Sequence, residues 1–282
     1  MKKFLLSVIL LLLSVNSYAI PEVDAVNQLL NGSGLNIARG LSPKTSFVHK
    51  FGSASDFDID AGIITVWDGA NDALGLAFAY TYSATADITQ ITSSSASDTE
   101  IIEVQGLNSA YELVIQNVTL TGTTAAILET PLIRVFRMKN IGSADMVGTV
   151  YLTVSGAGYA AAGVPDTANE IRAMLSIGEN QTLMALYTCP ANKTCYLCSF
   201  YASTSSAIKT SAHIIRLKVR PFGQVFQTKH VASIIANGVG HFIHPYMVPE
   251  KISAKSDIEM RANTDSNVAG VSAGFDLIVI DD

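Results

Sequence analysis

Apolar and polar residues alternate one for one in short runs along most of this 282-residue chain, and a period of two places successive side chains on opposite faces of a strand. Ile64 and Val66 alternate with Ile63 and Thr65 before a Trp67-Asp68-Gly69 corner, and Phe78, Tyr80 and Tyr82 share one face. Further runs at 101–104, 111–115, 118–120, 132–138 and 149–154 are separated by Gly- or Asn-containing breaks, and a Ser-rich stretch occupies 92–99. Beyond them, 181–188, 194–201, 213–219, 223–231, 255–261 and 272–280 also read as strands. Short strands at this spacing predict an all-β chain built as sandwiches or barrels. The expectation is two antiparallel β-sandwich or jelly-roll-like modules, 47–155 and 169–282, joined by a linker at 156–168 that is rich in Gly and Ala. An arm at 20–46 precedes them, with one short helix within 20–36 ended by Gly32 and Gly34.

The first residues have the form of a secretory leader. Lys2 and Lys3 precede an apolar run over 4–13, and Ser17-Tyr18-Ala19 offers small residues at a cleavage site, so 1–19 is expected to be a signal peptide. The run is too short for the roughly 20 residues that a membrane span requires, so no stable anchor is expected after cleavage. Lys2 and Lys3 are the only charges up to Ala19, which leaves 16 of the 18 basic residues against all 24 acidic ones, a net charge of −8. Such a chain repels phosphate backbones, and no nucleic-acid partner is expected. The best local basic group is Arg216, Lys218 and Arg220, alternating with Ile215, Leu217 and Val219, which reads as a solvated strand face. Charged residues make up only 15% of the chain; Ser, Thr, Asn and Gly therefore keep it soluble, as suits an exported β-protein.

The C-terminal run sets Phe275, Leu277 and Val279 against Asp276, Ile278 and Ile280. Apolar residues on both faces predict a central or covered strand. The three cysteines, Cys189, Cys195 and Cys198, are one ligand short of structural zinc, and His241 and His244 lie off the usual spacing, so neither metal nor cofactor is expected. Cys189 and Cys195 flank a five-residue turn, Pro190 to Thr194, and cross-strand cysteines at a hairpin lie near the distance a disulfide requires. That leaves Cys198 over.

Motifs for acyl transfer, metalloproteolysis, phosphate cradling and dinucleotide binding are missing from the sequence. Asp56, Asp58 and Asp60 alternate and form an acidic cluster. They offer paired carboxylates for glycoside hydrolysis or a partial calcium loop, against the plainer reading of a solvated acidic turn.

Several blocks in order carry a resemblance: Ile64-Thr-Val-Trp-Asp-Gly69; Gly106 to Tyr111 running into Val118 to Thr124; Ile133-Arg-Val-Phe-Arg137; Gly178 to Tyr187; the Pro190 to Thr194 turn; and Phe275 to Asp282. Together they resemble a β-rich structural protein of tailed phages of marine bacteria, over most of the chain after Phe47. The resemblance implies a non-catalytic virion component, capsid- or tail-associated, that works by assembly or attachment. The expected partners are copies of itself and other virion proteins, with a cell-surface glycan as a further candidate. The leader implies export, and the virion if the chain is viral. Trp67, Tyr80, Tyr82, Tyr196 and Tyr201 are the aromatic candidates for an interface or sugar-binding face. The alternatives from other classes are a secreted carbohydrate-binding protein and a glycoside hydrolase using Asp56, Asp58 and Asp60.

Overall fold

The computed structural model describes residues 34–57, 62–71, 79–266 and 269–282. Two units are distinguished, 1–47 and 48–282. In the first, residues 34–38 form a helical turn, closed by Arg39 N–H on Leu35 O at 2.9 Å and Leu41 N–H on Asn36 O at 2.8 Å. Gly34, expected to end a helix, is itself helical, and Gly40 at φ 69° follows the last helical residue. The leader and most of the arm lie outside the described residues.

Residues 48–282 hold the all-β architecture that the alternation predicts, as three antiparallel sheets. β1 (Thr45–Phe57) and β2 (Ile64–Thr65) come first, followed by β3 (Ile88–Ser93), β4 (Ile101–Leu107), β5 (Leu113–Thr119), β6 (Ala126–Leu132), β7 (Arg134–Asn140) and β8 (Val150–Val154). β9 (Ile171–Leu175), β10 (Leu186–Thr188), β11 (Lys193–Arg220), β12 (Gln227–Ile252), β13 (Asp257–Thr264) and β14 (Ala269–Asp281) complete the chain. The largest sheet runs β1-β14-β11-β13-β10, with β12 added to β11 and β2 to β13. The second runs β6-β3-β8-β9 and the third β5-β4-β7. Residues 156–168 fold back on themselves, with Ala160 N–H on Val164 O at 2.8 Å and Asp166 N–H on Gly158 O at 2.9 Å.

The runs at 194–201 and 213–219 are one 28-residue strand, β11, and its partner β12 has 26 residues. β11 pairs with β14 from Lys193 to Ser206 and with β13 from His213 to Arg220. The β11–β12 register slips between Ser206 and Ser211, where the chain opposite advances only from Gly238 to Ala236. At this bulge the hairpin doubles back. Two contacts show it: Lys229 and Glu250 are bridged at 2.8 Å, and the His230 and His244 rings lie 4.5 Å apart. A straight strand would hold Lys229 and Glu250 about 70 Å apart. The fold depends on glycine here, because Gly238 takes φ 101° and a Cβ at Gly240 would collide with the Ile234 side chain.

Inside the curl, Phe200, Ile215, Leu217, Phe275 and Leu277 are fully buried. β14 lies between β1 and β11, as its two apolar faces require, with Phe275, Leu277 and Val279 inward. Tyr80 and Tyr82, expected on a strand, lie in irregular chain. The backbone N–H of Tyr80 bonds the Thr65 hydroxyl at 2.8 Å, so a side chain takes the place of a ladder partner. The run at 181–188 shortens to β10, and β3, β6 and β9 occur where no alternation was read.

Cys189 and Cys195 are joined by a disulfide across the turn, with Cα atoms 6.0 Å apart. Cys198 is free and half-buried, and burial raises its thiol pKa. Lys50 is buried on β1 and donates to the Phe136 carbonyl of β7. Burial and the neighbouring Arg137 pull its pKa down to about 7, against the pull of Asp68.

Two outcomes are expected. Replacing Cys189 and Cys195 by Ser removes a short closed loop and should lower the unfolding free energy by about 2 kcal/mol, read from urea titrations of oxidised protein. Lys50 binds fewer protons folded than unfolded between pH 7 and its ordinary range. Wild-type stability should therefore rise with pH across 7 to 9.5, by at most about 1.4 kcal/mol per pH unit from this group. Lys50→Met should flatten that rise.

Candidate functional site

Four cations and four aromatic rings interleave where β7, β11 and β13 meet the loops around Tyr82, Tyr111 and Phe222. Arg261 lies 4.8 Å from the Phe226 ring, Arg220 4.7 Å from Phe226 and 4.5 Å from Tyr82, and Arg134 5.0 Å from Tyr82 and 5.5 Å from Tyr111. Lys255 continues the series at 5.5 Å from Tyr111 and 5.3 Å from Phe222. Each such contact contributes about 0.5–2 kcal/mol, more where water is excluded.

Strand register positions the cations. β11 and β13 pair Arg216 with Arg261, Lys218 with Glu259 and Arg220 with Asp257. The alternation read from the sequence holds, with Ile215, Leu217 and Val219 buried and the basic residues on the other face. That face is covered in part, not merely solvated. Glu259 is fully buried beside Arg261, and its carboxylate accepts from the Thr65 hydroxyl at 3.1 Å and the Tyr82 hydroxyl at 3.4 Å. Burial raises the Glu259 pKa, opposed by Arg261. Burial also raises that of Tyr82, with Glu259 and Asp257 adding to the shift, so its phenol stays protonated.

Asp257 is the hub. One carboxylate oxygen accepts from Arg134 Nε at 2.8 Å and the Thr188 hydroxyl at 2.6 Å. The other accepts from Arg134 Nη2 at 3.2 Å and from Arg220 Nε and Nη2 at 2.8 and 2.5 Å. Arg134 also donates to the carbonyls of Ser83 at 2.7 Å and Ile133 at 2.8 Å. Its position requires Gly106, since a Cβ there would strike the Arg134 carbonyl. Local backbone sets the remaining members: Tyr111 and Lys255 take φ 64° and 63°, and Phe222 sits in a Pro221–Gln224 turn closed at 2.9 Å with Gly223 at φ 74°.

These residues line an open cavity of about 250 Å³ whose walls include Tyr82, Tyr111, Arg134, Arg220, Phe222 and Lys255. Three cations face one carboxylate, Asp257. Such a lining has the charge for an anion and the faces for a flat or weakly polar ring, and its wall residues include neither a nucleophile beside a base nor a pair of separated carboxylates.

The structure places the sequence candidates differently. Trp67 is fully buried and meets Tyr80 edge-on at 5.2 Å, and Tyr80, 5% exposed, donates to the Arg172 carbonyl at 2.9 Å. Neither presents a face to a partner. Tyr82 belongs to the ladder. Tyr196 is half-buried, and Tyr201 stacks on His49 at 5.9 Å. Asp58 and Asp60 lie outside the described residues, as does the side chain of Asp56 at the end of β1. His241 is exposed on β12, while His244 packs against Phe200 and His230. Among the described residues no cluster of three or more His, Cys, Asp or Glu is arranged to hold a metal ion, and no helix is long and apolar enough to cross a membrane. Asp276 accepts from both His49 Nδ1 at 2.7 Å and Ser199 Oγ at 2.5 Å. The carboxylate thus lies between histidine and serine, and the far ring nitrogen faces Tyr201 Oη at 3.3 Å. Sequence reading found Tyr82 and Arg220 but missed Tyr111, Arg134, Phe222, Lys255 and Asp257. The Pro221-Phe222-Gly223-Gln224 turn beside Arg220 was the one available signal.

No family model matches the chain, and no curated protein matches it. Among solved structures it has weak similarity to viral capsid proteins. The cowpea mosaic virus empty virus-like particle aligns at 8% identity over 72% of this chain and 80% of that one, with a TM-score of 0.22. The VP2 subviral particle of infectious bursal disease virus aligns at 11% identity over 84% and 71%, with a TM-score of 0.21. The Gx strain of that virus aligns at 10% identity over 84% and 71%, with a TM-score of 0.23. At these scores the likeness transfers no function.

Removing one partner of a buried ion network leaves the others uncompensated. Asp257→Asn, which strands Arg134 and Arg220, should cost about 3 kcal/mol or more in a denaturant titration, whereas Lys255→Gln should stay within about 0.5 kcal/mol of wild type.

Proposed function

We infer that this chain is a non-catalytic structural protein that assembles with copies of itself through the outward face and free edge of β12. The observation that carries this reading is one row of side chains. Val231, Ile235, Val239, Ile243 and Met247 recur every fourth residue, and all are exposed, from 51% at Val231 to 98% at Met247. A spacing of four keeps them on one face of a strand, and the parity survives Gly238: Ala232, Ile234 and Ala236 before it point inward, as do Phe242, His244 and Tyr246 after it.

Among the described residues β12 pairs with β11 alone, so there its other edge leaves alternate backbone N–H and C=O groups without a strand partner. A long apolar edge is a template for another strand. A second copy of the same edge is its natural complement, because antiparallel pairing about a two-fold axis brings each aliphatic residue to an equivalent row. Burying each of these side chains contributes about 1.5–3 kcal/mol, and few charges stand in the row to oppose it.

The sequence blocks that resemble phage structural proteins offer a setting, a capsid- or tail-associated component of a virus particle, and the leader-like first residues offer export. Both fit a self-assembling module that carries a disulfide. The test is light scattering on purified protein. Wild type should run as an oligomer, and Ile235→Lys with Ile243→Lys should run as a monomer with an unchanged thermal midpoint. A wild type that stays monomeric at every accessible concentration would sink the reading.

A further inference from the structure

We propose that the cavity at the end of the cation and aromatic ladder binds an acidic sugar, one uronic-acid unit of a carboxylated glycan. This goes beyond the assembly reading and uses none of the outward row of β12. Charge gives the first argument. Arg134, Arg220 and Lys255 face the cavity against a single carboxylate, that of Asp257, which already accepts from both arginines and Thr188. Lys255 is half-buried between the Tyr111 and Phe222 rings, and no carboxylate lies within bridging distance of it among the described residues. An ammonium held there attracts an anion from outside the chain.

Shape gives the second. Tyr111 and Phe222 meet at 84° with centroids 5.5 Å apart, forming a corner, and Phe222 is 59% exposed. A large aromatic left open beside a cationic pocket suits a ligand with one weakly polar face and one charged edge. A pyranose carboxylate has both: its C–H face packs on the ring while its carboxylate reaches Lys255 and the Arg220 edge. The exposed Gln224 side chain at the cavity wall is placed to bond ring hydroxyls. The cavity, at about 250 Å³, falls below the roughly 300–1,000 Å³ of sites that enclose drug-sized ligands, which suits one unit of a longer chain.

The rest of the molecule disfavours a phosphate polymer. The chain carries 24 acidic against 18 basic residues, and its field repels a dense polyanion. One carboxylate per sugar ring meets less of that repulsion.

Rigidity gives the third argument. The Arg220 guanidinium is held by Asp257 and lies over the Tyr82 and Phe226 rings before any ligand arrives, so little ordering is needed on binding.

The experiment is calorimetry on the full chain with oligogalacturonate and oligoglucuronate, with neutral oligosaccharides of the same linkage, with inorganic phosphate and with a single-stranded oligonucleotide. Uronate oligomers should bind and the neutral ones should not. Lys255→Gln and Phe222→Ala should each weaken binding at least about tenfold with unchanged thermal midpoints, and Lys255→Arg should retain most of it. Equal binding of neutral sugars, tighter binding of phosphate or oligonucleotide, or no uronate binding by folded protein would overturn the proposal. Ile235→Lys with Ile243→Lys should bind uronate as wild type does, so loss of assembly and loss of this site are separable.

Discussion

β11 is hydrogen-bonded to β14 through its first half and to β13 through its second, and the hairpin turns between them, at the bulge opposite Gly238 and Ala236. The hairpin's share of the cavity follows from that turn. It folds β12 back until His230 meets His244, encloses Phe200 and Phe275, and brings the far end of the hairpin, Arg220 to Gln224, against the loops around Tyr82 and Tyr111. Glycine permits it, because only Gly240 lets the strand pass so close to Ile234. The device is local backbone chemistry, yet its effect reaches across the whole largest sheet.

A buried ion cluster is a costly way to fasten such a structure. Desolvating Asp257, Arg134 and Arg220 consumes much of what their attraction returns, and packed apolar groups would serve stability as well or better. What the cluster adds is direction. Asp257 fixes both guanidiniums, the guanidiniums lie over Tyr82, and Tyr82 in turn reaches Glu259. A chain with only 15% charged residues thus concentrates several of them in one ladder.

The fold class was legible in the sequence because the apolar period is local: Ile215, Leu217 and Val219 announce their face without reference to the rest of the molecule. The central position of β14 was legible for the same reason, from apolar residues on both its faces. The length of β11 was not, because 202–212 is rich in Ser, Thr and Ala, and its strand character comes from its neighbours. The ladder was illegible for a related reason. Arg134 and Asp257 are 123 residues apart, and no local pattern marks a pair that only register brings together. Trp67 and Tyr80 misled because a large aromatic ring serves a core as readily as a surface.

The row on β12 has a further consequence, one of phase. Five aliphatic residues lie outward and the imidazoles of His230 and His244 lie inward because the count of residues through Gly238 is even. Deleting or inserting a single residue there would exchange the two faces of everything beyond it. Phe242 and Tyr246 would be turned to water, and Val239 and Ile243 would be turned into the curl. Point changes in this strand are thus a milder perturbation than any change in its length, and natural variation here should respect the frame more strictly than the letters.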